Sequence, residues 1–193
     1  MVVQERLFDV DDVWRLAHDP DNENVRFELI DGELFTMVPP GRRHGILAAK
    51  ISFYLTLFNN EHELGEITIE SGYFSADDRH TLLGPDVAFM RYDRLPQPPT
   101  EKYVPVMPDL AVEIRSPFDT LAKIRRKAEV YLRRGTTIVW LVLPKQEIVE
   151  VWRQDETGQL RSEFLGVGDQ LSGQEILPGF ELEISLLFPK RQD

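Results

Sequence analysis

Cysteine is absent from the 193 residues of this chain, and long apolar runs are absent as well. Without cysteine the chain can form neither a disulfide framework nor a zinc site built on thiolates, and this composition is typical of a reducing compartment. No apolar stretch approaches the roughly 20 residues that span a bilayer. The N-terminal segment leads into acidic residues and has no signal peptide. We therefore expect a cytoplasmic protein without a membrane segment.

Several catalytic motifs are missing too. His62 and Glu63 are not followed by a second histidine four residues after His62, which excludes the zinc-protease motif. The chain has no Gly-x-Ser-x-Gly nucleophile elbow and no Walker loop for phosphate. These absences remove zinc proteases, α/β-hydrolases and P-loop enzymes from the interpretation.

Basic charge is scarce overall. The net charge of −11 argues against a protein that binds nucleic acid, because such proteins usually carry a basic surface. The charge is uneven, however, since residues 120–134 contain six bases and one acid. This segment is either a local basic surface or the solvated face of a helix, and charge alone leaves both interpretations open.

Length and composition predict a single domain over residues 1–193, with 42% hydrophobic residues available for a core. Turn residues and apolar spacing predict the elements in order: a helix over 9–18, a hairpin at Asp31-Gly32, a helix over 43–60, a strand from 67 towards 74, a turn over 77–80, a strand over 87–90, an irregular loop over 94–108, a strand over 110–114, a helix over 120–134, and strands over 139–143 and 148–152. Short strands and turns follow.

The order of these elements predicts the fold class. The strand–helix–strand run over 110–143 predicts a right-handed parallel crossover. The flanking hairpins predict antiparallel pairs. We therefore predict an α/β fold of the mixed α+β type, with a mixed central β-sheet flanked by helices and with N-terminal and C-terminal β-hairpins.

Two acidic residues, Asp86 and Glu113, lie 27 positions apart, each in or beside a short apolar run typical of a buried strand. A carboxylate in such surroundings is costly unless it has a partner. Two carboxylates at strand ends suit a hard divalent cation. They predict a metal site for phosphodiester hydrolysis, although a carboxylate pair also serves glycosidases.

Two cations accompany this pair. Strand periodicity places Arg115 on the same face as Glu113, where an arginine suits phosphate better than sugar. The alternative for Arg115 is a plain ion pair with Glu113 at a sheet edge. Lys127 shares a helical stripe with Ile124 and Tyr131. It either reaches the buried acids from that stripe or extends to solvent.

Three further residues are accessory candidates. Glu28 precedes the Asp31-Gly32 turn and either closes over the site or lies on the exposed face of the hairpin. His44 opens the long predicted helix, where it binds phosphate or caps the helix. Tyr131 is the third member of the stripe that contains Lys127.

Several of these residues occur in one family in the same order and at similar spacing. They are Pro85-Asp86-Val87, the run from Glu113 to Asp119, Lys127, Tyr131, Gly135, Trp140-Leu141-Val142 and Pro144. The segment from Phe27 to Glu33, His44, and Pro178-Gly179-Phe180 extend the agreement over residues 9–188. The chain resembles the Uma-two family of putative restriction endonucleases, within the PD-(D/E)XK nuclease superfamily.

The resemblance implies a restriction-endonuclease-like fold in which Asp86 and Glu113 hold Mg²⁺, with Mn²⁺ as a substitute. The superfamily lysine lies two residues after the second acid, where this chain has Arg115. Lys127 is then the residue that replaces it, in the manner of migrated lysines in related nucleases. Arginine does not readily release a proton, so Arg115 would bind phosphate rather than act as a base.

Two functions remain open on this sequence. The first is a metal-dependent endonuclease acting on nucleic acid, with DNA expected as substrate. No separate DNA-reading domain is visible in the sequence, so target specificity would need a dimer or another chain, and we expect a homodimer. The second is a catalytically weak nuclease-fold module that binds or regulates a protein partner through its acidic surface.

Overall fold

The computed structural model describes residues 7–23 and 25–188. Its N-terminal region contains a short helix followed by a β-hairpin. Asp9 caps helix α1 (Val10–Ala17) by accepting from the backbone N–H groups of Asp11 and Asp12. Strands β1 (Arg26–Ile30) and β2 (Glu33–Met37) then form the hairpin predicted at Asp31-Gly32. Both turn residues have positive φ, 52° and 82°, as a two-residue hairpin of this type requires.

The rest of the chain adds three α-helices and ten strands within the described residues. Their bounds are α2 (Arg42–His62), β3 (Gly65–Thr68), β4 (Tyr73–Ser75), β5 (Asp78–Leu83), β6 (Val87–Arg91), β7 (Leu110–Ile114), α3 (Leu121–Arg133), β8 (Ile138–Leu143), β9 (Ile148–Gln154), β10 (Leu160–Leu165), β11 (Gln170–Ser172), β12 (Glu181–Glu183) and α4 (Ile184–Leu187). No helix among them is both long and apolar enough to cross a membrane.

The central sheet has six strands in the order β10-β9-β8-β7-β6-β3. Strands β7 and β8 are parallel and α3 connects them, whereas the other neighbours are antiparallel. A second sheet has the order β2-β1-β5-β4, and β11 pairs with β12. The predicted mixed sheet with flanking helices is therefore confirmed.

Each face of the central sheet is covered by a different helix. One core contains alternate residues of β7 (Leu110, Val112 and Ile114) together with the inward side of α2. The other core contains Ala111 and the inward side of α3. Because side chains alternate along a strand, Glu113 lies on the α3 face, as the strand periodicity predicted.

Two sequence predictions about local structure are wrong. The strand predicted from 67 towards 74 is broken, because β3 ends at Thr68 and Glu70 takes a positive φ of 55° that turns the chain away. Strand β4 then joins the second sheet. The predicted turn over 77–80 is confined to residues 76–77, since β5 begins at Asp78 and its polar first residues lie at the outer end of the β4–β5 hairpin.

Candidate active site

Strand register places Asp86 beside Glu113. Val87 of β6 pairs with Val112 of β7 in an antiparallel ladder, so the preceding residue, Asp86, lies level with Glu113. The Asp86 backbone N–H donates to the Val112 carbonyl over 3.0 Å. Its carboxylate is fixed as well, because the Ile114 N–H donates to Asp86 Oδ2 over 2.6 Å. The two predicted acids therefore meet at the adjoining ends of two strands.

Helix α3 brings Lys127 and Tyr131 onto Glu113. Lys127 Nζ lies 2.7 Å from Glu113 Oε1, and the Tyr131 hydroxyl donates to the same oxygen over 2.7 Å. All three residues are buried. Within the described residues no hydrogen bond reaches Glu113 Oε2, which leaves that oxygen for another partner.

Glu28 joins this cluster from the second sheet. Its Oε1 atom lies 2.6 Å from Lys127 Nζ and accepts the Gly84 backbone N–H over 2.9 Å. Glu28 is 6% exposed, so its alternative placement on the exposed face of the hairpin is wrong. Glu28 thus connects β1 to the loop that carries Asp86.

His44 contacts Asp86 from the first turn of α2. Its Nε2 atom lies 3.0 Å from Asp86 Oδ2. The other ring nitrogen, Nδ1, is buried and has no hydrogen-bond partner within the described part of the chain. His44 therefore contacts the candidate ligand itself, and the N-cap of α2 is Gly41, which makes no side-chain hydrogen bond.

Arg115 is the predicted residue that the structure leaves at the margin of the cluster. Strand β7 ends at Ile114, and the Arg115 N–H donates to the Val142 carbonyl. Its Nε atom donates to the Asp119 carbonyl over 3.0 Å. Arg115 thus braces the loop between β7 and α3, and the plain ion pair with Glu113 is absent from the described contacts of Arg115.

The cluster is short of positive charge, and its pKa values are shifted accordingly. Burial raises the pKa of Glu113 to about 8; the Lys127 ammonium opposes this shift, and the Asp86 and Glu28 carboxylates add to it. For Lys127, burial lowers the pKa, but the Glu113 and Glu28 carboxylates outweigh it and leave the pKa above its usual value. Burial, together with the same carboxylates, raises the Tyr131 pKa well above its usual value. Lys127 is therefore charged, and a further cation would be attracted.

The donor set fits a hard divalent cation. Asp86 Oδ1 and Glu113 Oε2 accept no hydrogen bond from the residues that the structure describes. Such oxygens are the ligands that Mg²⁺ prefers, and Mg²⁺ keeps several waters when proteins bind it. No group of three or more His, Cys, Asp or Glu side chains in residues 7–23 and 25–188 could hold a metal alone. Water and substrate oxygens would complete the shell.

Glu28 and His44 are the two site residues whose position the sequence left open. Both lie in segments distant along the chain from Asp86 and Glu113, and their proximity depends on how the two sheets and α2 pack. The sequence indicated each residue only through its immediate neighbours: Glu28 is a polar residue in an apolar strand run, and His44 opens a long helix.

Comparisons with known proteins agree with the predicted family. A family model described as "Putative restriction endonuclease", that of the Uma-two family, matches residues 10–185. The fold is similar to the crystal structure of a putative nuclease belonging to DUF820 from Anabaena variabilis. That likeness has 19% sequence identity and a TM-score of 0.77, and it covers 94% of this chain and 97% of the other. No curated protein matches the chain.

The structural likeness shows the fold, and the family match shows the relationship. The match extends over nearly the whole chain and includes Glu28, Asp86, Glu113 and Lys127. The predicted family is thereby confirmed. This protein belongs to the Uma-two family of putative restriction endonucleases.

Proposed function

We propose that this protein is a metal-dependent endonuclease that hydrolyses phosphodiester bonds in nucleic acid, with DNA as its substrate and Mg²⁺ or Mn²⁺ as its cofactor. One observation carries the proposal. A buried lysine lies between two buried glutamates, and one of them adjoins an aspartate at the ends of β6 and β7. Membership of a family of putative restriction endonucleases supports the same reaction class.

Asp86 and Glu113 would hold the cation through Oδ1 and Oε2. When bound, the cation supplies positive charge to a phosphate oxygen and lowers the pKa of a water molecule. The backbone N–H of Ile114 and the His44 ring fix Asp86 Oδ2, so the rotation of this carboxylate is restricted. Tyr131 restricts Glu113 in the same way.

Lys127 supplies the fixed positive charge of the site. An ammonium group has three donors, and Glu28 and Glu113 accept two of them. The third donor is available for a phosphate oxygen or an attacking water. Because both carboxylates raise its pKa, Lys127 would act as a charge stabiliser rather than as a base at neutral pH.

Arg115 has a different role in this proposal. Its hydrogen bond to the Asp119 carbonyl holds the loop that precedes the N-terminus of α3. From this position its guanidinium would contact the substrate phosphate. The enzyme would work in the cytoplasm as a homodimer, so that two sites act on two strands. The absence of cysteine supports the reducing compartment.

A cleavage assay tests the proposal. Supercoiled and single-stranded DNA are incubated with the protein and either Mg²⁺ or Mn²⁺. The wild type should nick or cut DNA, and Asp86→Asn should reduce the rate by about 100-fold or more, because a charged ligand is lost. Asp93→Asn is the matched control, since Asp93 is 71% exposed and its carboxylate lies 3.4 Å from Arg91, which is not a residue of the cluster. It should cleave as the wild type does.

A second function is favoured by the charge of the chain. The net charge of −11 and the engagement of Lys127 by two carboxylates suit a catalytically weak nuclease-fold module with a protein partner. Absence of cleavage on every nucleic acid with both metals, from protein that binds the metal, would favour this module over the enzyme.

A further inference from the structure

Helix α2 has a second apolar face that the core does not use. Ile46, Phe53 and Leu57 lie seven and four residues apart, so they form one stripe along the helix. They are 39%, 58% and 50% exposed, respectively; we call these three residues the outer stripe. Leu186 of α4, 42% exposed, lies beside this helix, since Lys50 Nζ donates to the Leu186 carbonyl over 2.6 Å.

Charges are ordered along the same helix. Arg42 and Arg43 lie at its start, whereas Glu61 and Glu63 lie at its end, and all four are exposed. Arg43 and Glu61 are about five turns apart at 3.6 residues per turn, so both lie on the same flank of the outer stripe. Arg43 also forms an exposed ion pair with Glu147 over 3.3 Å, which leaves its other donors available.

The stripe and the charges are together self-complementary. When two copies of α2 lie antiparallel, Ile46 of each copy is level with Leu57 of the other, and Lys50 is level with Phe53. The same arrangement places the basic start of each helix beside the acidic end of the other. A parallel arrangement would place arginine beside arginine. Only a two-fold, isologous contact uses one surface on both copies in this way.

We propose that the outer stripe of α2 is a dimerisation surface on which a second copy of this chain docks, with the two α2 helices antiparallel. The proposal specifies which surface forms the homodimer and does not depend on nuclease activity. A stable interface buries roughly 800 Å² per partner, and the outer stripe contributes only three large apolar side chains to such a contact. The association is therefore reversible and depends on protein concentration.

Other occupants fit the surface less well. The C-terminal residues 189–193, Pro-Lys-Arg-Gln-Asp, contain no large apolar side chain that could cover the stripe. Nucleic acid would be repelled by the acidic end of α2, because phosphate and carboxylate carry the same charge. A second copy would cover the apolar outer stripe and would pair with both charged ends of α2.

Sedimentation velocity over a range of protein concentrations tests the surface. The wild type should show a monomer–dimer equilibrium, and Phe53→Glu should raise its dissociation constant by about tenfold or more, as for a central apolar contact. Phe164→Glu is the matched control. Phe164 is 57% exposed on the edge strand β10, whereas Phe53 is 58% exposed. The control should dimerise as the wild type does.

A charge exchange tests the antiparallel arrangement. Glu61→Arg should weaken the dimer, because it faces the basic start of the partner helix, and Arg43→Glu combined with Glu61→Arg should restore it.

A chain truncated after Phe188 should dimerise unchanged. A monomer at every concentration, weakening by Phe164→Glu but not by Phe53→Glu, or failure of the double variant to restore dimerisation would each overturn the proposal. Dimerisation acquired only on truncation would show that the C-terminal tail covers the stripe and would overturn it as well.

Discussion

Replacement of Lys127 by methionine tests the electrostatic design of the site. Lys127 Nζ lies within 2.7 Å of one oxygen of Glu28 and one of Glu113, and all three residues are buried. Removing one partner of a buried ion pair costs about 3–5 kcal/mol, because the remaining charge has no compensation. Methionine keeps the volume of the side chain, so the loss should arise from charge rather than from a cavity.

The size of this loss should depend on pH. Without Lys127 the pKa of Glu113, already about 8, should rise further, since the ammonium is what lowers it. Below its unfolded-state pKa Glu113 is protonated in both states, and the loss should be small. As the pH rises through and beyond 8, Glu113 ionises in a buried cluster that no longer contains the Lys127 ammonium, and the loss should approach the full value.

The measurement is urea unfolding of Lys127→Met and the wild type between about pH 4 and pH 9, with each free energy extrapolated to water at about 10–15% error. Lys123→Met is the matched control on the same helix, because Lys123 is 61% exposed and, within residues 7–23 and 25–188, pairs only with Asp119 at i,i+4. It should change stability by about 0.5 kcal/mol or less. Combining Lys127→Met with Glu28→Gln and Glu113→Gln should recover most of the loss. The reasoning would be refuted if both lysine variants lost the same free energy of unfolding, or if the loss in Lys127→Met did not change with pH.

Three further predictions concern pH, metal and the arginine. Because the folded pKa of Glu113 is raised from 4.5 to about 8, its contribution to stability should be complete below pH 4.5 and lost as pH rises through 8; Glu113→Gln should flatten this dependence in pH-dependent melting curves. Mg²⁺ should raise the melting temperature of the wild type but not of Asp86→Asn, because a ligand that binds only the folded state stabilises it; an equal rise in both would place the metal elsewhere. Arg115→Lys should keep or raise DNA cleavage, since lysine offers a compact point charge at the superfamily position; a lost rate with unchanged stability would show that the guanidinium is required.

The sequence predicted those parts of the site that depend on local periodicity. Glu113 lies on the α3 face of its strand because side chains alternate, and Lys127 lies inward because its helical stripe is otherwise apolar. Asp86 and Glu113 meet because both immediately adjoin paired strand residues. Periodicity was sufficient for the face of Glu113 and the stripe of Lys127, but it left open whether Lys127 reaches the acids or solvent, and the position of Asp86 depends on strand pairing.

Other features depend on where elements end and how sheets pack. Alternation placed Arg115 on the face of Glu113, but the strand ends at Ile114 and the side chain of Arg115 instead reaches the Asp119 carbonyl. The contact of Glu28 with Lys127 joins residues almost 100 positions apart, one on β1 of the second sheet and the other on helix α3. No pattern of neighbouring residues predicts a contact over such a separation along the chain. Glu28 could therefore be proposed as a site residue from the sequence, but its position could not be predicted.

The bond from Gly84 to Glu28 has a consequence for how the site comes into being during folding. Asp86, Glu113 and Lys127 all belong to the polypeptide that follows the exposed segment 39–41, whereas Glu28 precedes it. A chain cut in that segment would yield a large fragment with every proposed metal ligand, but its Lys127 would lack one of two carboxylate partners and its Gly84 N–H would lack an acceptor. Adding the N-terminal hairpin in trans would supply the missing carboxylate. The protein is in this respect a natural candidate for fragment complementation, in which one small piece completes the electrostatics of the other.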